Sequence, residues 1–162
     1  MITEPKIEVR NEQPYVGIQA RVTMQQMGKV LPPLWGEVYG WLASKGFGPA
    51  GAPLWRYRVI DMEGTMEIDV GVPVAAAAAG DKRIIADIIP AGRYATFIHT
   101  GPYEDLMQAT ADLLTWAGSK GIVWDKWATG PKGESWRARV ELLPYRPNKG
   151  TRFGEMGNRT GV

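Results

Sequence analysis

The chain has 162 residues, 44% of them apolar and 22% charged, proportions of a soluble globular protein long enough for one ordinary domain. Its 19 Lys and Arg are interspersed with 17 Asp and Glu for a net charge of +2, which speaks against the basic stripe that direct nucleic-acid binding needs. No cysteine is present, so disulfide and thiolate chemistry are excluded, and no run approaches the about 18 consecutive apolar residues of a membrane-spanning helix. The first residues lack the charged start and apolar core of a signal peptide, so a cytoplasmic location is expected.

In chain order, strand patterns come first at Lys6–Arg10 and Tyr15–Thr23, where Val16, Ile18, Ala20 and Val22 alternate with smaller or polar residues. A helix follows, with Leu34, Val38, Trp41 and Leu42 on one apolar face. Pro32 and Pro33 suit its start rather than its interior, and Lys45 with Gly46 is a C-terminal signal. Strand patterns resume at Trp55–Asp61 and Met66–Val72, and Pro73 ends the second of them.

The same order then repeats. Strands are expected at Arg83–Ile89 and Tyr94–Thr100, and Gly101-Pro102 with Glu104 and Asp105 opens a second helix. Leu106, Ala109, Leu113, Trp116 and Ala117 form its apolar face, and Lys120 with Gly121 closes it. Strands at Trp124–Ala128 and Trp136–Leu143 end at Pro144. Trp41-Leu42-Ala43-Ser44-Lys45-Gly46-Phe47 recurs as Trp116-Ala117-Gly118-Ser119-Lys120-Gly121-Ile122, an internal repeat. The pattern predicts an α+β fold: a duplicated β-α-β-β module with an antiparallel sheet, two helices and a pseudo-two-fold. One domain is expected over 1–145, with repeats at about 5–75 and 83–145. The tail, 146–162, has little apolar content and is expected to be flexible.

The run from Pro90 to Leu106 (PAGRYATFIHTGPYEDL) closely resembles the middle of GyrI-like domains. In that family a Pro-x-Gly turn leads into a strand ending in His-x-Gly-Pro-Tyr, then a helix closing on Trp and Gly. Here Trp116 and Gly121 complete the pattern. Gly51-x-Pro53 followed by Tyr57 is similar to the family's strand start after its first helix. Asp125-x-Trp127 before Gly130-Pro131 stands where the family usually has Glu-x-Tyr and Asp-Pro.

The resemblance implies an SHS2-like duplicated fold with a ligand groove between the halves, lined by aromatics with an acid at depth. Relatives so recognised include effector domains of multidrug-responsive transcription activators, a gyrase-inhibitory protein, binders of lipophilic cations, and hydrolases of electrophilic cyclopropanoid toxins. The chain offers no room for a DNA-binding segment, so a regulator role would need a partner.

The residues themselves define candidates. Asp125 is either the groove acid, one methylene shorter than the family's glutamate, or a turn aspartate. In Trp136–Leu143, alternation places Glu141 with Arg139 on the face opposite Trp136, Ala138, Val140 and Leu142. Matching Pro144 to Pro73 sets Glu141 level with Val70, and Arg139 level with Ile68. Glu141 then either projects into the groove or forms a surface ion pair. His99, the single histidine, is read as structural. With no cysteine and no acids at ligand spacing, neither a metal site nor a cofactor is expected.

Seven Trp and six Tyr are a heavy aromatic load. Trp35, Tyr39, Trp55, Tyr57, Tyr103, Trp124 and Trp127 fall on elements expected to border the groove, where ring faces attract delocalised cations. The expected function is binding of lipophilic, aromatic or cationic small molecules, with Asp125 and Glu141 as groove acids. The alternative is hydrolysis of strained electrophilic rings, with Glu141 or Asp125 holding water and Tyr57 assisting. A second alternative is a macromolecular inhibitor such as a gyrase modulator. A hydrophobic or cationic small molecule is the expected partner, with homodimerisation possible and neither nucleic acid nor membrane bound directly.

Overall fold

The structure, a computed structural model, describes residues 4–99, 104–143 and 156–159. The first half comprises β1 (Lys6–Arg10), β2 (Gln13–Val22), α1 (Met27–Ser44), β3 (Leu54–Ile60) and β4 (Met66–Pro73). The second comprises β5 (Ile84–Ile89), β6 (Gly92–Thr96), α2 (Glu104–Ser119), β7 (Lys126–Thr129) and β8 (Gly133–Leu142), followed by β9 (Met156–Arg159). The strand β9 falls within 146–162, the stretch that composition marks as a flexible tail. Among the described residues no helix is long and apolar enough to cross a membrane.

All strand pairings are antiparallel within one sheet, ordered β1-β6-β9-β8-β3-β4-β2-β5, with β7 also on β8. The leading strand of each half pairs with the other half: β1 lies on β6 and β5 on β2. The halves meet at β3 and β8. Neither half therefore completes its own sheet.

Both helices end in the same way. Gly46 and Gly121 adopt positive φ (73° and 71°), where glycine avoids the Cβ clash of other residues. Phe47 N donates to Leu42 O at 2.9 Å, and Ile122 N donates to Ala117 O at 3.0 Å. These are matched Schellman closures that satisfy terminal carbonyls. The start of α1 differs from expectation, since Pro32 and Pro33 lie inside the helix. Each lacks the N–H for an i−4 bond. Burial of Met27 and Leu31 (3% and 0% exposed) nonetheless extends the helix past them, and Gln26 O caps Lys29 N and Val30 N at 3.1 and 2.8 Å.

Apolar side chains under α1 join Val22, Met27, Leu31, Trp55, Tyr57, Ile68 and Val70 into one cluster. A second, under α2, contains Ala95, Phe97, Leu106, Ala109 and Leu113. The opposite sheet face carries Tyr15, Leu54 and Val140. It also holds a buried network in which Tyr15 donates to Asp69 at 2.5 Å and Arg58 Nε donates to Asp69 at 2.8 Å. Across the seam, Trp55 is flanked by Val70 and Glu141, and Tyr57 by Ile68 and Arg139. Cross-strand partners share a face, so Tyr57, Arg139 and Glu141 all point to the helical side.

Candidate functional site

That shared face forms the floor of a cavity of about 620 Å³ between the N-terminal end of α1, α2 and the β3–β4 turn, a volume within the range of small-molecule sites. Its apolar wall contains five of the seven methionines: Met24, Met27, Met62, Met66 and Met107. Ile60, Leu106 and Leu114 add to it. Met62 and Met107 are half exposed at its mouth, whereas Met27 and Met66 are buried. Unbranched thioethers repack readily around differently shaped ligands.

Two polar groups stand on the floor. Glu141 is buried, and its Oε1 accepts a 2.8 Å hydrogen bond from the Tyr57 hydroxyl. Its Oε2 has no hydrogen-bond partner. Burial pushes the Glu141 carboxyl up to about 7, against the opposing pull of the Tyr57 hydrogen bond and the Arg139 charge. Arg139 places its guanidinium 4.9 Å from the Trp136 ring centroid and 5.7 Å from that of Tyr57, a cation–π sandwich.

The rim is charged but largely self-neutralised. Lys132 pairs with Glu63 across the halves, and Lys126 with Glu134 at 2.8 Å. The Asp61 carboxylate accepts backbone N–H bonds from Glu63 and Gly64 at 3.1 and 3.0 Å, closing the β3–β4 turn.

Of the residues singled out in the sequence, the structure brings together Tyr57 and Glu141 at this cavity. Trp35 and Trp55 are packed into the core instead, stacked at 5.3 Å and 7°, with Trp35 Nε1 donating to Leu54 O at 3.3 Å. Tyr39 is on the outer part of α1, 36% exposed. Trp124 packs against Trp136 at 5.9 Å. Trp127 is on the exposed β7, with the Arg137 guanidinium 6.0 Å from its ring.

Asp125 does not line the cavity. The Arg137 guanidinium holds it at 2.8 Å, and its backbone oxygen accepts Arg137 N at 3.1 Å. Its side chain thus pins the β7–β8 hairpin. Tyr103 lies outside the described residues. His99 is buried at 2% exposure and is not part of the cavity wall. The methionine lining went unread in the sequence. Its signal was positional: Met24 and Met27 stand at the start of α1, and Met62 and Met66 flank the β3–β4 turn. Among the described residues no three His, Asp or Glu side chains are grouped to hold a metal ion.

The sequence profile of the GyrI-like small molecule binding domain matches residues 3–126. The chain belongs to this family. A comparison with curated protein sequences gives no match. Among solved structures, the chain is similar to EcmrR in its complex with DNA, at 20% identity and a TM-score of 0.76 over 98% of this chain. It spans 58% of that longer protein. SAV2435 bound to tetraphenylphosphonium is similar at 12% identity and a TM-score of 0.60, over 98% of this chain and 94% of that one. A hydrolase from Listeria innocua is similar at 10% identity and a TM-score of 0.65, over 98% and 92%. At these identities the likeness concerns the GyrI-like fold, an α+β architecture of two helices on an antiparallel sheet.

Proposed function

We propose that this GyrI-like domain binds an apolar small molecule between its halves, wrapped by methionines and anchored at depth by Glu141. The observation that carries the reading is the unpartnered Glu141 Oε2, buried at the floor of a cavity whose wall is mostly apolar. An unsatisfied buried carboxylate oxygen costs free energy that a ligand or water group can recover. The wall is adaptable rather than ring-lined, which favours ligands of varied shape. Fluorescence titration with a neutral lipophilic dye such as Nile red tests this. Saturable binding is expected, and Ala111→Trp, which fills the cavity from α2, should abolish it. Absence of saturable binding to the unmodified protein would end the proposal.

A second reading, hydrolysis of strained rings, draws support from the Tyr57–Glu141 hydrogen bond. Glu141 Oε2 would take a proton from water, whose oxygen bonds to an electrophilic cyclopropane carbon. The ring carbon–carbon bond breaks, and its electron pair passes into the substrate's conjugated carbonyl. The resulting enolate takes the Tyr57 proton, which Glu141 then replaces. A carboxyl titrating near neutrality suits such a base. Mass spectrometry should show substrate plus one water with the unmodified protein, but not with Glu141→Gln or Tyr57→Phe. No product above the buffer control removes this reading and leaves binding intact.

A further inference from the structure

Arg139 is the half-buried cation of the cavity floor, and Glu141 acts on it only through space, without an ion-pair contact. Among the described residues no carboxylate forms an ion pair with it, and its Nε is buried without a hydrogen-bond partner. Arg56, whose Nε is likewise unpartnered, still donates through its terminal nitrogens to Ile88 O at 3.1 Å and Arg137 O at 2.7 Å, and Arg58 pairs with Asp69 and Asp87. The rings of Tyr57 and Trp136 hold the Arg139 guanidinium in place without neutralising it.

A guanidinium keeps its proton in proteins. The floor formed by Arg139 and Glu141 is thus neutral when Glu141 is ionised and positive when it is protonated, and never negative. The rim does not reverse this, because Glu63 and Glu134 are each paired with a lysine. Asp61 is the remaining rim acid; it keeps its negative charge, held at the β3–β4 turn by the Glu63 and Gly64 amides rather than on the floor. A lipophilic cation entering the cavity therefore meets Arg139 with no surplus negative charge at depth. An oxyanion meets a planar donor fork suited to carboxylate geometry.

We propose that Arg139 sets the charge preference of the groove, directing it toward apolar molecules that carry an anionic or strongly accepting oxygen and away from lipophilic cations. This rests on the small-molecule binding reading above. Tetraphenylborate and tetraphenylphosphonium, nearly equal in shape and opposite in charge, are the probes, each competed against bound Nile red. The unmodified protein should bind the borate at least as tightly as the phosphonium. Arg139→Met should move the affinity ratio toward the cation by about tenfold or more, and Arg139→Lys should leave it near the unmodified value.

A clear preference of the unmodified protein for the phosphonium overturns the proposal without recourse to a variant. So does a ratio unmoved in Arg139→Met. If Nile red and both ions all fail to bind, the binding reading itself has failed, which is a separate result.

Discussion

The Tyr57 hydroxyl reaches across the seam between the halves and donates a 2.8 Å hydrogen bond to Glu141. Tyr57 is on β3 and Glu141 on β8, yet they are not direct cross-strand partners: Tyr57 is level with Arg139, and Glu141 with Trp55. The bond is therefore diagonal, and it ties the two halves together at the point where the cavity is deepest.

Glu141 makes stability depend on pH in an identifiable direction. Its carboxyl titrates at about 7 in the folded protein against an ordinary value of 4.5. The folded state holds the proton more tightly, so the contribution is complete below about 4.5 and is lost as pH rises through 7. The difference between the two values corresponds to something on the order of 3 kcal/mol. Urea unfolding of the unmodified protein and Glu141→Gln should give similar stabilities at low pH. The variant should pull ahead as pH rises from 5 to 8. Parallel curves would contradict the buried placement.

Tyr57→Phe removes the donor that favours the ionised carboxylate. The midpoint of the Glu141-dependent stability change should move to higher pH. The loss of the bond should cost about 1 kcal/mol. The same urea series, compared with Glu141→Gln, reads both effects.

The tryptophans divide into core and surface. Trp35→Ala removes the ring stacked on Trp55 and should cost about 3 kcal/mol, measured by denaturant unfolding. In the folded fraction it should leave Nile red affinity within about twofold, because Trp35 does not line the cavity. Trp127→Ala, at an exposed position, should change stability by no more than about 0.5 kcal/mol.

The exposed cavity methionines should be the ones oxidised. Under limited hydrogen peroxide, peptide mass spectrometry should find sulfoxide at Met62 and Met107 before Met27 and Met66, which are 3% and 1% exposed. A polar sulfoxide at the mouth should weaken Nile red binding. The double variant Met62→Leu with Met107→Leu should resist that loss.

Gly46→Ala and Gly121→Ala test the matched helix ends. A Cβ at either position meets no atom within 4 Å, so the cost is purely one of backbone conformation, about 1 kcal/mol each. Thermal unfolding should show similar losses at both sites.

Much of the fold was legible because its signals are local. Gly46 and Gly121 announced helix ends, and Pro73 with Pro144 fixed the level of β4 against β8. That match set Glu141 opposite Val70 and Arg139 opposite Ile68. In the structure each pair flanks one residue of β3, Trp55 or Tyr57 respectively. Alternation then misled for Trp136. A register shift between Tyr57 and Val59 breaks the period of two, and Trp136 joins the cluster under α1. The site was only partly legible, since aromatic counts do not say which rings are consumed by packing. Trp35, Trp55 and Trp124 found partners in one another and in Trp136. The cavity methionines lie in three separate segments, and only folding collects them.

The exchange of leading strands has a consequence for how the chain is made. Residues Lys6 to Arg10 leave the ribosome well before their partners, which run from Gly92 to Thr96. Closing that contact traps a long loop and carries a correspondingly large entropic cost. The N-terminal strand must wait through synthesis of the whole first half before β6 exists to receive it. That strand is thus held back until the second half emerges, and products truncated before β6 keep an unpaired strand edge that chaperones can recognise.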